Sequence, residues 1–393
     1  MRYRDFQDER LSLLGFGAMR IPEREDKSLD PDALDEMLEY ALSNGINYFD
    51  TAYVYHAKKS EPFLAKALSK YPRESYNFAT KFPGHQIGDD FNPAPIFEKQ
   101  LEQCNFDYFD FYLLHNVYED SIKVYEDPKW GIIDYFLKQK EEGRIRHLGF
   151  STHGGVEVMR EFLERHGDVM EFCQIQLNFI DWDLQDAKSK VELLDSYGIP
   201  IIVMEPLHGG KLAALGEERD AKLKALRPDE SIASWGLRWI EQIPSVAVIL
   251  SGMSNMEQLV DNVKTFGPVE QPEAGEQGCP LSAEENECLE KIAKSMSDFV
   301  PCTACRYCVD HCPVGLDIPE LLAMYNDVLF APMVTIGMRI DALPEDKRPQ
   351  ACVGCGACAQ MCPQRIDIPS CMPDFVDKLD ALPKWADICA ARR

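Results

Sequence analysis

Eight cysteines toward the C-terminal end carry the most specific chemistry in the chain. Cys302, Cys305, Cys308 and Cys312-Pro313 recur, 50 residues on, as Cys352, Cys355, Cys358 and Cys362-Pro363. Asp317-Ile318-Pro319 recurs at the same offset as Asp367-Ile368-Pro369, so the segment is a duplicated unit. Each half reads Cys-x2-Cys-x2-Cys-x3-Cys-Pro. Three thiolates at this spacing can wrap three corners of an iron–sulfur cube, while a fourth after a longer gap points elsewhere. Four thiolates also suit structural zinc, but zinc motifs usually separate two Cys-x2-Cys pairs by a long loop. The spacing therefore predicts 4Fe-4S clusters. Cys104, Cys173, Cys279, Cys288, Cys371 and Cys389 fall outside the motifs and read as incidental.

The repeat closely resembles the motif of bacterial-type dicluster ferredoxins. In those proteins the fourth cysteine of each motif ligates the other cluster. The resemblance thus implies one set of Cys302, Cys305, Cys308 and Cys362, and a second of Cys352, Cys355, Cys358 and Cys312. The connection departs from the compact β-type version. It is long, and Pro319–Phe330 has the apolar spacing of a helix. This resembles the helical ferredoxin modules attached to larger oxidoreductases.

A second constellation lies upstream. Asp50, Lys81 and His115 each close a short apolar run, and Tyr55 follows Asp50 by five residues. Singly, each has an ordinary reading: a turn or cap carboxylate, a surface amine, a local hydrogen-bonding imidazole, a packed ring. Together they suit proton delivery to a carbonyl oxygen as hydride reaches its carbon. A tyrosine with its ordinary pKa of ~10 is a poor acid or base at neutral pH. A nearby ammonium favours the phenolate and is expected to lower that value toward the working range. A carboxylate paired with the lysine keeps the amine charged and placed, and the imidazole can orient the carbonyl oxygen.

These groups need a scaffold that gathers strand ends. From residue 11 to about 264 the chain alternates β-type runs with amphipathic helical stretches. The expected strands are Leu11–Gly15, Ile46–Asp50, Asn77–Lys81, Tyr108–His115, His147–Ser151, Phe172–Gln176, Ile199–Met204 and Val246–Ser251. Eight alternations over about 250 residues predict an α/β fold, a (β/α)8 TIM barrel, whose catalytic groups come from the carboxyl ends of several strands. An open doubly wound sheet would need a glycine fingerprint after its first strand, and Gly15-Phe16-Gly17-Ala18-Met19-Arg20 lacks the third glycine. A radical-forming single-cluster enzyme would need a Cys-x3-Cys-x2-Cys triplet near the start of the barrel, and none is there.

The expected organisation is a barrel over 1–266, a linker and helix over 267–299, a mainly helical dicluster ferredoxin-like domain over 300–375, and a tail over 376–393. Ser282 and Glu285 form a capping box that starts the linker helix, which should run to about Ser297. Twelve of the 14 cysteines lie beyond residue 270, which matches this division. The net charge of −25 argues against nucleic acid and anionic lipid as partners. No apolar run approaches the ~18 residues of a membrane span, and Met1–Asp5 lacks a signal peptide's apolar core, so a cytoplasmic protein is expected.

The stretch from about 1 to 265 resembles the aldo-keto reductase family. The resemblance rests on Phe49-Asp50-Thr51-Ala52 with Tyr55, Thr80-Lys81, Leu114-His115 and Gly149-Phe150-Ser151-Thr152. Gln174-Ile175-Gln176-Leu177-Asn178, Pro206-Leu207 with Gly209-Gly210, and Glu257-Gln258-Leu259 with Asp261-Asn262 extend it. It implies a catalytic tetrad of Asp50, Tyr55, Lys81 and His115, with Tyr55 as general acid/base. It also implies NADPH lying extended across the carboxyl face of the barrel. Ser151, Thr152 and Gln174 fall where the family holds the nicotinamide carboxamide, with Thr152 in place of the usual Asn. Met204 replaces the aromatic ring often stacked on the nicotinamide. Leu207, Gly209 and Gly210 match the pyrophosphate loop, and Asn262 falls in the last matching motif. The cations that often hold the 2′-phosphate of NADP are replaced by Gly252 and Gln258. With no cation from Ser245 through Val263, the balance tips slightly toward NADH.

Hydride carries two electrons, whereas a 4Fe-4S cluster passes one. Flavin usually reconciles the two; no flavin signature is present, and none excludes it. Three functions follow from the mismatch. One is a nicotinamide-dependent reductase of a small-molecule carbonyl whose clusters exchange electrons with a partner protein. Another is an electron-transfer protein whose clusters reduce a substrate or flavin in the barrel. The last is a non-catalytic cofactor-sensing module with structural clusters.

Overall fold

The computed structural model describes residues 1–393 except 27, 85–89, 120, 268–280, 297–299, 301, 303–305, 307, 331–333, 342, 363–365 and 383–393. The chain divides into two compact units, Met1–Leu289 and Glu290–Arg393.

The first unit opens with an antiparallel hairpin, β1 (Tyr3–Phe6) and β2 (Glu9–Ser12). Eight parallel strands follow: β3 (Leu14–Gly17), β4 (Tyr48–Asp50), β5 (Asn77–Phe82), β6 (Phe109–Leu114), β7 (Ile145–Thr152), β8 (Cys173–Gln176), β9 (Ile201–Met204) and β10 (Val246–Ser251). They close into a barrel in which β10 pairs with both β9 and β3. The (β/α)8 expectation therefore holds, with one correction. The first barrel strand is Leu14–Gly17, not Leu11–Gly15, because Leu11 belongs to the hairpin. Phe6 and Leu11 are buried with the inward-facing residues, and the Phe6 ring lies 5.3 Å from that of Phe111. The hairpin thus adds the Phe6 and Leu11 side chains to the interior core of the barrel.

Alternation along each strand sorts the barrel into two cores. Phe49, Phe78, Tyr112, Leu114, Phe150, Ile175 and Val203 face outward under the helices. Tyr48, Ala79, Phe111, Leu113, Phe172, Ile202 and Val248 face inward. Successive side chains point to opposite faces, so the next inward positions are Asp50, Lys81, His115, Ser151, Gln174 and Met204. One period-2 rule thereby brings the predicted residues into the top layer. Gly15 must be small: a Cβ there would lie 2.7 Å from Leu250 and Val248.

The helix Pro31–Ser43 starts on Asp30, whose carboxylate accepts from the Asp32 and Ala33 amides. A similar device starts Ala283–Ser295. Ser282 N–H donates to Glu285 at 2.7 Å, and Glu285 N–H donates to Ser282 Oγ at 3.2 Å. This is the predicted capping box; the expected helix end at Ser297 and most of the expected linker lie outside the described residues.

The second unit is helical. Ile318–Phe330 and Ile368–Asp380 occupy equivalent places in the repeat. They meet through the Tyr325 and Phe375 rings, 5.4 Å apart, and Tyr325 Oη donates to Asp374. The second helix continues through 376–380, where the tail was expected to begin. Among the described residues no helix is long and apolar enough to cross a membrane.

Candidate functional site

At the carboxyl end of the barrel, Lys81 is fully buried on β5. Its Nζ donates to Asp50 Oδ1 at 2.5 Å and to the Thr51 carbonyl at 2.7 Å. Gln174 Nε2 donates to Asp50 Oδ2 at 3.2 Å. Burial leaves the Asp50 carboxyl above its ordinary value, and Lys81 and Gln174 offset this only in part. Burial also works against the Lys81 ammonium, but Asp50 and Tyr55 outweigh it and leave the lysine above its ordinary value. The pair is therefore read as a buried ammonium–carboxylate.

Tyr55 lies just beyond β4, half-buried, with its ring centroid 5.2 Å from Lys81 Nζ. The His115 ring meets it edge-on at 6.1 Å. All four tetrad residues are thus brought together. The expected lowering of the tyrosine does not result. Burial raises Tyr55 above 10, and Lys81 offsets this only in part. The phenol stays protonated at neutral pH. The turn that follows is unusual: His56, Ala57 and Lys58 all have left-handed backbones, with φ of 48°, 54° and 69°.

The expected cofactor residues divide. Ser151 is buried in the top layer, where its Oγ accepts from Asn116 N–H at 2.8 Å. Gln174 is spent partly on Asp50. Thr152 Oγ1 donates to the Val117 carbonyl at 2.6 Å and accepts from Gly154 N–H at 2.9 Å, so it holds a turn. Gln258 accepts from Ser254 N–H at 2.8 Å, and Asn262 donates to Ser251 Oγ at 2.9 Å. Gln258 thus supports the backbone after β10, and Asn262 ties its helix to the hydroxyl at the end of that strand. Met204 and Leu207 are half-buried, while Gly209 and Gly210 are exposed with φ of 67° and 92°.

Three features escaped the sequence reading. The first is Glu61, a fully buried carboxyl behind Lys81 that accepts from Thr80 Oγ1 at 2.5 Å, Gln100 at 2.6 Å and Gln103 at 2.7 Å. Burial pushes it up to about 7 despite these bonds. The second is Arg20, whose stem crosses Gly252: a Cβ on that glycine would lie 3.1 Å from Arg20 Cδ. The third is Glu205, which follows Met204 with φ 54°. The partners of Glu61 and Arg20 are distant in sequence, and Glu205 makes its contacts in a left-handed turn that no motif marked.

In the second unit, Cys312, Cys352, Cys355 and Cys358 line one pocket, whose walls also include Leu316, Ile318 and Met372. These are the four cysteines expected to share a cluster. Their donor chemistry fits: four thiols in an apolar pocket, with Leu316 N–H donating to Cys312 Sγ at 3.4 Å. Amide bonds to sulfur and an apolar wall are the levers that set a cluster's potential. Among the described residues, no three His, Cys, Asp or Glu side chains are placed to hold a single metal ion. In the other set Cys308 is buried and Cys302 and Cys362 half-buried, but Cys305 lies outside the described residues. The buried third cysteines, Cys308 and Cys358, are equivalents in the repeat. Of the incidental cysteines, Cys371 is raised to about 11 by burial; Cys279 and Cys389 lie outside the described residues.

Comparison with known proteins agrees with both units. The family model "Aldo/keto reductase family" matches residues 13–321, and "4Fe-4S dicluster domain" matches 301–366. A probable aldo-keto reductase of Glycine max is 29% identical over 227 residues, covering 55% of this chain and 62% of that protein. An NADH-specific methylglyoxal reductase of Escherichia coli is 26% identical over 302 residues, covering 65% and 90%. Among solved structures, the holo form of aldo-keto reductase AKR11C1 from Bacillus halodurans is 28% identical with a TM-score of 0.57. It covers 75% of this chain and 97% of that one. An aldo-keto reductase from Klebsiella pneumoniae in complex with NADPH shares the fold at 18% identity and a TM-score of 0.59, over 74% and 94%. With a closed (β/α)8 barrel and a family match over most of its length, the chain belongs to the aldo/keto reductase family and carries a 4Fe-4S dicluster domain near its C-terminal end.

Proposed function

We propose that the protein is an oxidoreductase that reduces a small-molecule aldehyde or ketone with a nicotinamide cofactor, and that two 4Fe-4S clusters exchange electrons with a partner protein. The observation that carries the reading is the buried Lys81–Asp50 pair beneath Tyr55. A reduced nicotinamide supplies hydride to the carbonyl carbon. The chain's own residues supply the proton and its control. Tyr55, held protonated by its burial, donates from Oη to the carbonyl oxygen. Lys81 then faces the new phenolate, and Asp50 keeps the ammonium charged while Gln174 fixes the carboxylate. His115, edge-on to the phenol, is placed to orient the carbonyl oxygen. Ser151, Gln174 and Met204 share the top layer and would hold the nicotinamide end, with the Leu207–Gly210 turn toward the phosphates.

The pocket formed by Cys312, Cys352, Cys355 and Cys358 supports a cluster ligated across the repeat. The symmetry of the motifs supports a second, on Cys302, Cys305, Cys308 and Cys362.

Tyr55→Phe removes the proton donor while keeping the ring. It should abolish nicotinamide-dependent carbonyl reduction in an anaerobic assay and leave the cluster absorbance intact. Turnover at the wild-type rate would overturn the reading.

A further inference from the structure

We infer that Glu205 competes with phosphate for the Gly209 amide, and that Arg20, beside the same glycine, is the cation placed to carry the phosphate when the carboxylate gives way. The inference rests on the proposed nicotinamide reading and adds to it a residue that sets cofactor affinity.

Glu205 is the first residue after β9. Its left-handed backbone is anchored from two sides, since its carbonyl accepts from His208 N–H at 3.0 Å and from Asn178 Nδ2 at 3.1 Å. His208, Gly209 and Gly210 are left-handed as well, with φ of 45°, 67° and 92°. The chain curls until Gly209 N–H donates to Glu205 Oε2. A carboxylate oxygen and a phosphate oxygen are acceptors of the same kind, and one N–H cannot serve both fully. Phosphate reaching this amide must therefore displace the carboxylate or bind against its charge.

The opposing charge comes from the other side of the barrel closure. Arg20 lies just past β3, exposed, with its stem along Gly252 at the end of β10. A methyl placed on Gly209 would lie 3.5 Å from Arg20 Nη2 and 3.8 Å from Glu205 Oε2. The guanidinium and the carboxylate flank one glycine, yet among the described residues they form no ion pair with each other. His208 belongs to a separate pair, its Nδ1 lying 3.0 Å from the fully buried Asp181 carboxylate. Arg20 is thus a cation whose charge is available at the Gly209 turn. Its guanidinium offers paired donors suited to phosphate.

The test is equilibrium binding on the full-length, cluster-loaded protein kept anaerobic, read from nicotinamide and tryptophan fluorescence. Glu205→Gln keeps the side chain's size but removes its charge, and should tighten both NADH and NADPH about tenfold, equivalent to about 1.4 kcal/mol. Arg20→Gln should weaken both by a similar factor and flatten the salt dependence of binding. Amide exchange followed by mass spectrometry reads the turn directly. Exchange at Gly209 should quicken in Glu205→Gln, and inorganic pyrophosphate should slow it again. Glu205→Ser provides a second variant with the same expected directions if the glutamine chain does not fold. Unchanged or weaker dinucleotide binding by a folded Glu205 variant overturns the inference. If the wild type binds neither dinucleotide, the nicotinamide reading fails. The exchange arm with pyrophosphate then decides the Glu205 claim by itself: protection greater in Glu205→Gln than in wild type supports it, and equal protection overturns it.

Discussion

The carboxyl of Glu61 should make the barrel more stable in mild acid than in mild base, against the usual trend for acidic groups. It lies fully buried with no ion pair among the described residues, and its three hydrogen-bond donors and the nearby Lys81 charge do not offset the desolvation, so it sits at about 7 rather than 4.5. A carboxyl raised in the folded state binds its proton more tightly there than in the unfolded chain. Stability from this group is therefore full below about 4.5 and is lost as pH rises through about 7. Between about pH 8 and about pH 5.5 the linkage relation gives a gain of about 2 kcal/mol on acidification. Glu61→Gln mimics the protonated form. It keeps an acceptor for Thr80 and Gln100, and the Gln103 amide can turn to accept from it. Urea unfolding of both proteins, anaerobic and followed by circular dichroism, should show this increment in the wild type and not in the variant. The difference between the two curves removes other titrating groups, such as His208, which Asp181 raises against the effect of its burial. An equal pH slope in both proteins would refute the reasoning. The same carboxyl binds Gln100, which also donates to the Lys81 carbonyl at 3.2 Å, so the variant tests what braces the strand beneath the site.

Four further substitutions probe the two centres. Lys81→Met leaves the Asp50 carboxylate buried without its cation and should cost about 3–5 kcal/mol. Adding Asp50→Asn should recover most of that stability while carbonyl reduction stays about 10²–10⁴-fold down; a double variant that regains turnover removes Lys81 from the chemistry. Cys312→Ser should lower iron and sulfide from about eight to about four of each per chain, whereas Cys371→Ser should leave them unchanged. Full iron content in Cys312→Ser would break the assignment of that pocket.

What could be read in the sequence was what repeats with a fixed period. The cysteine spacing repeats at 50 residues, and the inward positions of the barrel repeat at two along each strand. Asp50, Lys81 and His115 are legible because a parallel strand places its last inward side chain in the same layer as its neighbours'. Ser282 and Glu285 are legible because a capping box is local. The pKa of Tyr55 was not legible, since it depends on how much of the ring the surrounding loops cover. The sequence identified the ammonium that lowers it but could not weigh the burial that raises it. Thr152, Gln258 and Asn262 were placed toward a cofactor on motif position alone. In the structure Thr152 and Gln258 hydrogen-bond to backbone at Val117 and Ser254, and Asn262 to the Ser251 hydroxyl.

The least legible contacts are those made by closing the barrel. β3 and β10 stand at opposite ends of the first unit's sequence, yet Leu250 pairs with Gly15 and Ser251 with Phe16. That pairing carries Arg20 onto Gly252. The sequence from Ser245 through Val263 carries no cation of its own, and the positive charge that lies along it comes from the start of the chain. Gly252 therefore has a different meaning from an absent lysine: its missing side chain leaves the surface on which the arginine lies. What sets the affinity for either dinucleotide at this site, on the inference above, is the balance between Arg20 and Glu205 at Gly209. Closure of the barrel sets the cation's side of that balance, and the left-handed turn after β9 sets the carboxylate's.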